Sequence, residues 1–119
     1  MDSEIRERPL TARRKQELLI RIASFVDNNL DQPMTLQIVA RRFGVSVSTV
    51  TQLFQRRAGL TFHSFLTQRR MAAAVELIGQ GVALEEVGRQ VGYGDHSSFY
   101  RAFKQTYGLS PRDYKQGKR

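Results

Sequence analysis

Apolar residues recur along most of this chain at intervals of three and four, the repeat that turns one face of an α-helix toward a core. Leu18, Ile22, Val26 and Leu30, with Leu19 and Phe25 beside them, predict a first helix running to about Leu30. Thr11 is placed to cap it, and Asn28, Asn29, Asp31, Gln32 and Pro33 supply the stop. Thr35 is the expected N-cap of a short second helix, with Leu36, Val39, Ala40 and Phe43 inward and Gly44 at its end. Ser46 caps a third, in which Val50, Leu53 and Phe54 face the core and which Gly59 closes. Thr61 caps a long fourth helix carrying Phe62, Phe65, Leu66, Ala74, Val75 and Ile78, ended by Gly79 and Gly81. Leu84 to Val91 form a short fifth and His96 to Tyr107 the sixth. Ser110-Pro111 open a seventh, with the proline at the first helical position, where its missing N–H costs little. No segment alternates with a period of two, so the expectation is an all-α fold without a sheet.

Comparing the chain with itself decides the architecture. Leu36, Val39, Ala40, Phe43 and Gly44 recur as Leu84, Val87, Gly88, Val91 and Gly92, a shift of 48 residues. Further on, Ser46, Val50, Phe54, Gly59, Leu60, Thr61 and Phe65 recur as Asp95, Phe99, Phe103, Gly108, Leu109, Ser110 and Tyr114, a shift of 49. The additional residue falls in the turn around Gly94, where a loop absorbs an insertion most easily. Each copy reads as a short helix, a glycine turn and a longer helix, with a small residue (Ala40, Gly88) four positions before the turn glycine. That is a helix-turn-helix pattern: the small side chain lets two helices cross closely, and the glycine takes a positive φ without a Cβ clash. The expected organisation is a flexible arm at 1–10, a first subdomain at 11–60, a linker helix at 61–79, a second subdomain at 80–116 and a basic tail at 117–119.

Composition changes this picture in two ways. The net charge of +8 and pI near 10.6 point to a polyanionic partner, nucleic acid or an acidic membrane face. The absence of cysteine excludes disulfides, Cys-ligated zinc and thiol nucleophiles together. No apolar run approaches the ~20 residues of a transmembrane helix. The first 15 residues lack the apolar core of a signal peptide, so an intracellular, cytoplasmic protein without metal or cofactor is expected.

Within the sixth helix Phe99 and Phe103 share one face. His96, Ser97, Tyr100, Arg101 and Lys104 fall largely on the others. Such a mixture suits a helix lying in a DNA groove, because base edges need directional donors and acceptors while phosphates need positive charge.

Val87, Gly92-Tyr93, Asp95, Ser98-Phe99, Arg101, Phe103-Lys104, Gly108, Ser110-Pro111 and Tyr114 closely resemble the DNA-binding domain of the AraC/XylS family of bacterial transcription regulators. Phe65-Leu66, Arg70-Met71, Ala74 and Leu77-Ile78 add to the resemblance in the linker helix, and it covers the chain from about Leu18 to Lys115. The resemblance implies two helix-turn-helix subdomains bridged by a rigid helix, with the third and sixth helices in successive major grooves of double-stranded promoter DNA. It also implies contact with RNA polymerase, an activating role and no small-molecule ligand within this domain. Carried over by position, Ser48, Thr49, Thr51 and Gln52 would meet bases from the third helix, with Ser46 and Arg56 toward phosphates. His96, Ser97, Tyr100 and Arg101 would meet bases from the sixth, with Lys104 toward phosphate, while Arg112 and Lys115, beside the helix start at Ser110-Pro111, read as an edge that grips phosphates. Arg101 can pair bidentately with guanine and Gln52 with adenine. Two departures stand out: no cation lies between Ser46 and Gln55, and Gly88 replaces the usual alanine at a helix-propensity cost of about 1 kcal/mol.

Plainer readings accompany several of these residues. His63 is expected to face solvent, and His96 is either a DNA contact or a surface residue at a helix start. Arg69 and Arg70 are expected to pair with acids such as Glu76 or Asp95. Phe54, Phe99 and Phe103 are core rather than stacking platforms, since they match across the copies. Lys118 and Arg119 read as a solvated tail. A basic helical module that binds nucleic acid or protein without reading sequence is the competing function. No enzyme constellation can be assembled from two isolated histidines and no phosphate-cradling glycine loop.

Overall fold

The computed structural model describes residues 10–117, which form seven α-helices and no strand. The arm and the tail, with Lys118 and Arg119, lie outside the described residues apart from Leu10 and Gly117. The helices are α1 (Ala12–Asp27), α2 (Leu36–Phe43), α3 (Val47–Leu53), α4 (Phe62–Gly79), α5 (Leu84–Gln90), α6 (His96–Tyr107) and α7 (Pro111–Lys115). Among the described residues, 10–28 and 34–65 group into one compact unit, and 29–33 with 66–117 into a second. The first turn of α4 thus belongs to the first unit and the rest of the helix to the second.

The helix starts were written in the sequence as side-chain oxygens. Thr11, Thr35, Ser46, Thr61, Asp95 and Ser110 each accept from the backbone N–H three residues on, at 2.7–3.1 Å. Each bond satisfies a donor that the helix itself leaves unpaired. Gly44, Gly59 and Gly108 end α2, the third-helix segment and α6 in left-handed conformations (φ 68°, 69° and 82°).

Two elements differ from expectation. α1 stops at Asp27 rather than near Leu30: the Asn28 N–H returns to the Ser24 carbonyl, and Gln32 N–H closes a turn on Asn29. Leu30 lies beyond the helix end, with its carbonyl against Gly92. The third helix is α-helical only to Leu53 and then widens into a π-turn over Phe54–Ala58, with Gly59 N–H bonded to the Phe54 carbonyl. There the Phe54 ring, fully buried, meets Phe62 at 5.4 Å and Phe65 at 4.9 Å.

Leu18, Ile22, Val26, Val39, Val50, Leu53 and Phe54 are buried in the first unit, each on the face its spacing assigned. In the second unit Met71, Ala74, Ile78, Val87, Val91, Phe99 and Phe103 form one buried cluster. Gly88 sits against it: a Cβ there would lie 3.2–3.4 Å from Phe99, so the glycine lets α5 and α6 approach. The duplication persists in the packing. Phe54 meets Phe65 at 4.9 Å in one unit, and their counterparts Phe103 and Tyr114 meet at 5.6 Å in the other. Tyr114 thereby anchors the short α7 onto α6.

Candidate nucleic-acid interface

In the first unit α3 is fixed by its cap and by the burial of Val50 and Leu53, which leaves its opposite face to solvent. Ser48 and Gln52 are exposed one turn apart, with Gln52 Nε2 donating to Ser48 Oγ at 3.4 Å. This bond is long enough for a base edge to replace it at little cost. Thr49 and Thr51 are half-buried. Ser46 accepts from Thr49 N–H at 3.0 Å and donates its hydroxyl hydrogen to Thr49 Oγ1 at 2.9 Å, so this pair serves first as the cap of α3. Arg56 is exposed on the π-turn, and neighbouring Arg57 donates to Gln16 of α1 at 3.3 Å.

The cations that sequence reasoning left out of the first unit sit on α1 and α2. Arg42 lies over the rings of Phe25 (5.4 Å) and Phe43 (5.8 Å), and Arg21 over Phe43 (5.6 Å). Phe25 and Phe43 pack edge to face at 5.7 Å, so a pair of rings holds two guanidiniums at the surface. Only an aromatic and an arginine at neighbouring positions of α2, Arg42-Phe43, hinted at this in the sequence.

In the second unit Phe99 and Phe103 hold α6 in the core, and the remaining faces carry the candidate chemistry. His96, Ser97, Tyr100, Arg101 and Lys104 are all exposed. His96 and Tyr100, one turn apart, stand with ring centroids 6.0 Å apart. Asp95 accepts from the Ser98 N–H at 2.7 Å and from the Ser98 hydroxyl at 3.2 Å. These bonds hold its carboxyl below the usual aspartate range, with Arg101 adding a smaller attraction.

His96 and Tyr100 also join Arg112 and Lys115 of α7 and Leu84 and Glu85 of α5 around a groove of about 750 Å³. The structure therefore brings four sequence-predicted residues together across two elements. Arg101 and Lys104 are not among the residues that line this groove. Glu85 and Asp113 place carboxylates in the groove wall. Ser110, buried beside it, caps α7 at 3.0 Å, and Pro111 follows at the first helical position.

Five residues read as plain in the sequence are placed as follows. His63 is exposed. Phe54, Phe99 and Phe103 are fully buried core. Arg70 does not reach Glu76 or Asp95: it donates to the Gln32 carbonyl at 3.0 Å and lies over the Tyr93 ring at 5.7 Å. No helix among the described residues is long and apolar enough to cross a membrane.

Residues 39–117, from inside α2 through α7, match the family model of a helix-turn-helix domain. The chain belongs to the AraC/XylS family. It is 27% identical over 101 residues to the regulatory protein SoxS of Salmonella typhimurium, covering 84% of this chain and 94% of SoxS. It is 29% identical over 107 residues to the HTH-type transcriptional regulator YijO of Escherichia coli, covering 89% of this chain but 38% of YijO. Among solved structures, the C-terminal domain of AraT, a response regulator from Geobacillus stearothermophilus, superposes with a TM-score of 0.81 at 28% identity over 85% of each chain. The all-α fold and the double helix-turn-helix plan are those of the family, and the chain is a DNA-binding domain of a transcription regulator.

Proposed function

We propose that this domain reads double-stranded promoter DNA in a sequence-specific manner, with α3 and α6 in successive major grooves, and activates transcription through RNA polymerase. The observation that carries the reading is α6 itself. Its apolar face is fully buried through Phe99 and Phe103, while His96, Ser97, Tyr100, Arg101 and Lys104 stand exposed on a helix capped at both ends. Arg101 is assigned to a guanine O6/N7 edge, with His96, Ser97 and Tyr100 on neighbouring bases. Ser48 and Gln52, with Thr49 and Thr51 at the margin, are assigned to the other groove. Ser46, Arg56, Lys104, Arg112 and Lys115 are assigned to phosphates, where charge counts more than geometry. The reading needs no cofactor, no metal, no ligand within this domain and no catalytic residue, and it places the protein in the cytoplasm.

The test is titration of a promoter duplex and of the same bases shuffled, at several salt concentrations. Specific binding should exceed binding to the shuffled duplex by about 10³-fold or more and fall steeply with salt. Arg101→Ala should relax base preference at one position, whereas Lys115→Ala should weaken every sequence alike. Identical curves on the two duplexes would instead establish a basic module that does not read sequence.

A further inference from the structure

The segment between α1 and α2 is an interhelix turn by sequence, yet residues 29–33 belong to the second unit. Three observations explain why. The Leu30 carbonyl lies where a Cβ on Gly92 would fall, at 2.2 Å, so only glycine admits this approach. Arg70, from α4, donates to the Gln32 carbonyl at 3.0 Å and covers the Tyr93 ring at 5.7 Å. Its guanidinium also lies 2.7 Å from the same absent Cβ of Gly92. Tyr93 in turn packs on Phe99 of α6 at 5.9 Å, and Asp95, two residues on, caps that helix.

Arg70 Nε is buried and has no hydrogen-bond partner among the described residues. Arg70 is half-buried, and leaving its Nε–H unpaired is unfavourable without compensation elsewhere on the guanidinium. The Tyr93 ring face and the Gln32 carbonyl supply that compensation. A guanidinium suits the task better than an ammonium, being planar enough to lie on a ring while its edge donates to a carbonyl.

We propose that Arg70 is a positioning residue for DNA reading: it keys the 29–33 segment onto the Gly92–Tyr93 turn and thereby fixes where α6 begins. The inference rests on α6 being a reading helix, but its structural half stands without DNA. Arg70 touches no base in this account; it acts through Tyr93 and Phe99 on the direction of Arg101 and its neighbours.

The test compares wild-type protein with Arg70→Met and Arg70→Lys. Amide hydrogen exchange without DNA should quicken about tenfold at 29–33 and 92–95 in R70M, while α1 and α3 keep their protection. R70K, which keeps a donor but not the stacked plane, should fall between. On DNA, R70M should lose the base preferences that R101A loses and keep those that Gln52→Ala loses. It should add little in the R101A background, since both act on one helix. Unchanged exchange at 29–33 and 92–95, or faster exchange spread evenly over the chain, would overturn the positioning role. Should wild-type protein prove blind to sequence, the DNA-reading proposal fails, and the exchange measurement still decides whether Arg70 holds the turn.

Discussion

The two units share one plan and differ at the turn and in the helix that follows it. In the first, a Cβ added to Gly44 would meet nothing within 4 Å; in the second, one added to Gly92 would collide with the Leu30 carbonyl at 2.2 Å. The first glycine is there for its backbone angle alone (φ 68°), the second for its angle (φ 97°) and for the chain packed against it. The helices after the turns diverge too. α3 is short, capped by a neutral serine, and passes into a π-turn, while α6 stays α-helical over 12 residues behind an aspartate cap. The exposed face of α6 thus carries two cations, Arg101 and Lys104, where α3 carries none. The first unit carries its cations outside α3, on Arg56 of the π-turn and on the arginines of α1 and α2.

The largest effect expected from this contrast is at the turn glycines. Gly92→Ala should lower stability by about 3 kcal/mol or more in chemical denaturation, combining a strained backbone with a backbone clash. Gly44→Ala should lose only the left-handed penalty of about 1–2 kcal/mol. Equal losses would mean that the 29–33 segment does not press on the second turn.

The next contrast is at the helix crossings. Ala40 and Gly88 are equivalent by sequence, but Phe99 leaves 3.2–3.4 Å for a Cβ at Gly88. Gly88→Ala would gain about 1 kcal/mol of helix propensity. It should nevertheless lose about 1 kcal/mol net, because Phe99 is fully buried and cannot move aside without overpacking its neighbours. A stabilised variant would show that the crossing is looser than this packing implies.

The smallest effects belong to the caps. Ser46→Ala should lose about 1 kcal/mol at any pH, since no charge is involved. Asp95 behaves differently. Its folded-state pKa lies below the ordinary aspartate value because Ser98 donates to it twice. Its contribution is therefore fully present above the unfolded pKa and disappears as pH falls through the lowered folded value. Thermal melts at descending pH should show this loss in wild-type protein and not in Asp95→Asn, which can cap without titrating.

Much of the fold was legible in the sequence because its signals are local. Side-chain caps, apolar spacing and left-handed glycines each act within a few residues, and the duplicated core made them redundant. What was not legible depended on contacts distant along the chain. Leu30 continued the α1 periodicity, yet the chain turns at Asn28 and brings the Leu30 carbonyl against Gly92. Arg70 looked like a surface cation in search of an acid, and a carbonyl 38 residues away claimed it instead. The π-turn at Phe54 had no sequence signal, and the ring contacts of Phe54 with Phe62 and Phe65 that accompany it depend on α4. The chemistry of α6 could be read from spacing, whereas the groove shared with α7 required knowing that Tyr114 anchors on Phe103.

Selection of bound duplexes from a random pool, run in parallel for wild-type protein, Gln52→Ala and Arg101→Ala, tests the double-reader account most directly. The account predicts two preferred blocks about one helical turn, ~10 base pairs, apart. R101A should erase the stronger block and Q52A blur the weaker one. A single block lost equally in both variants, or no preferred sequence at all, would contradict it.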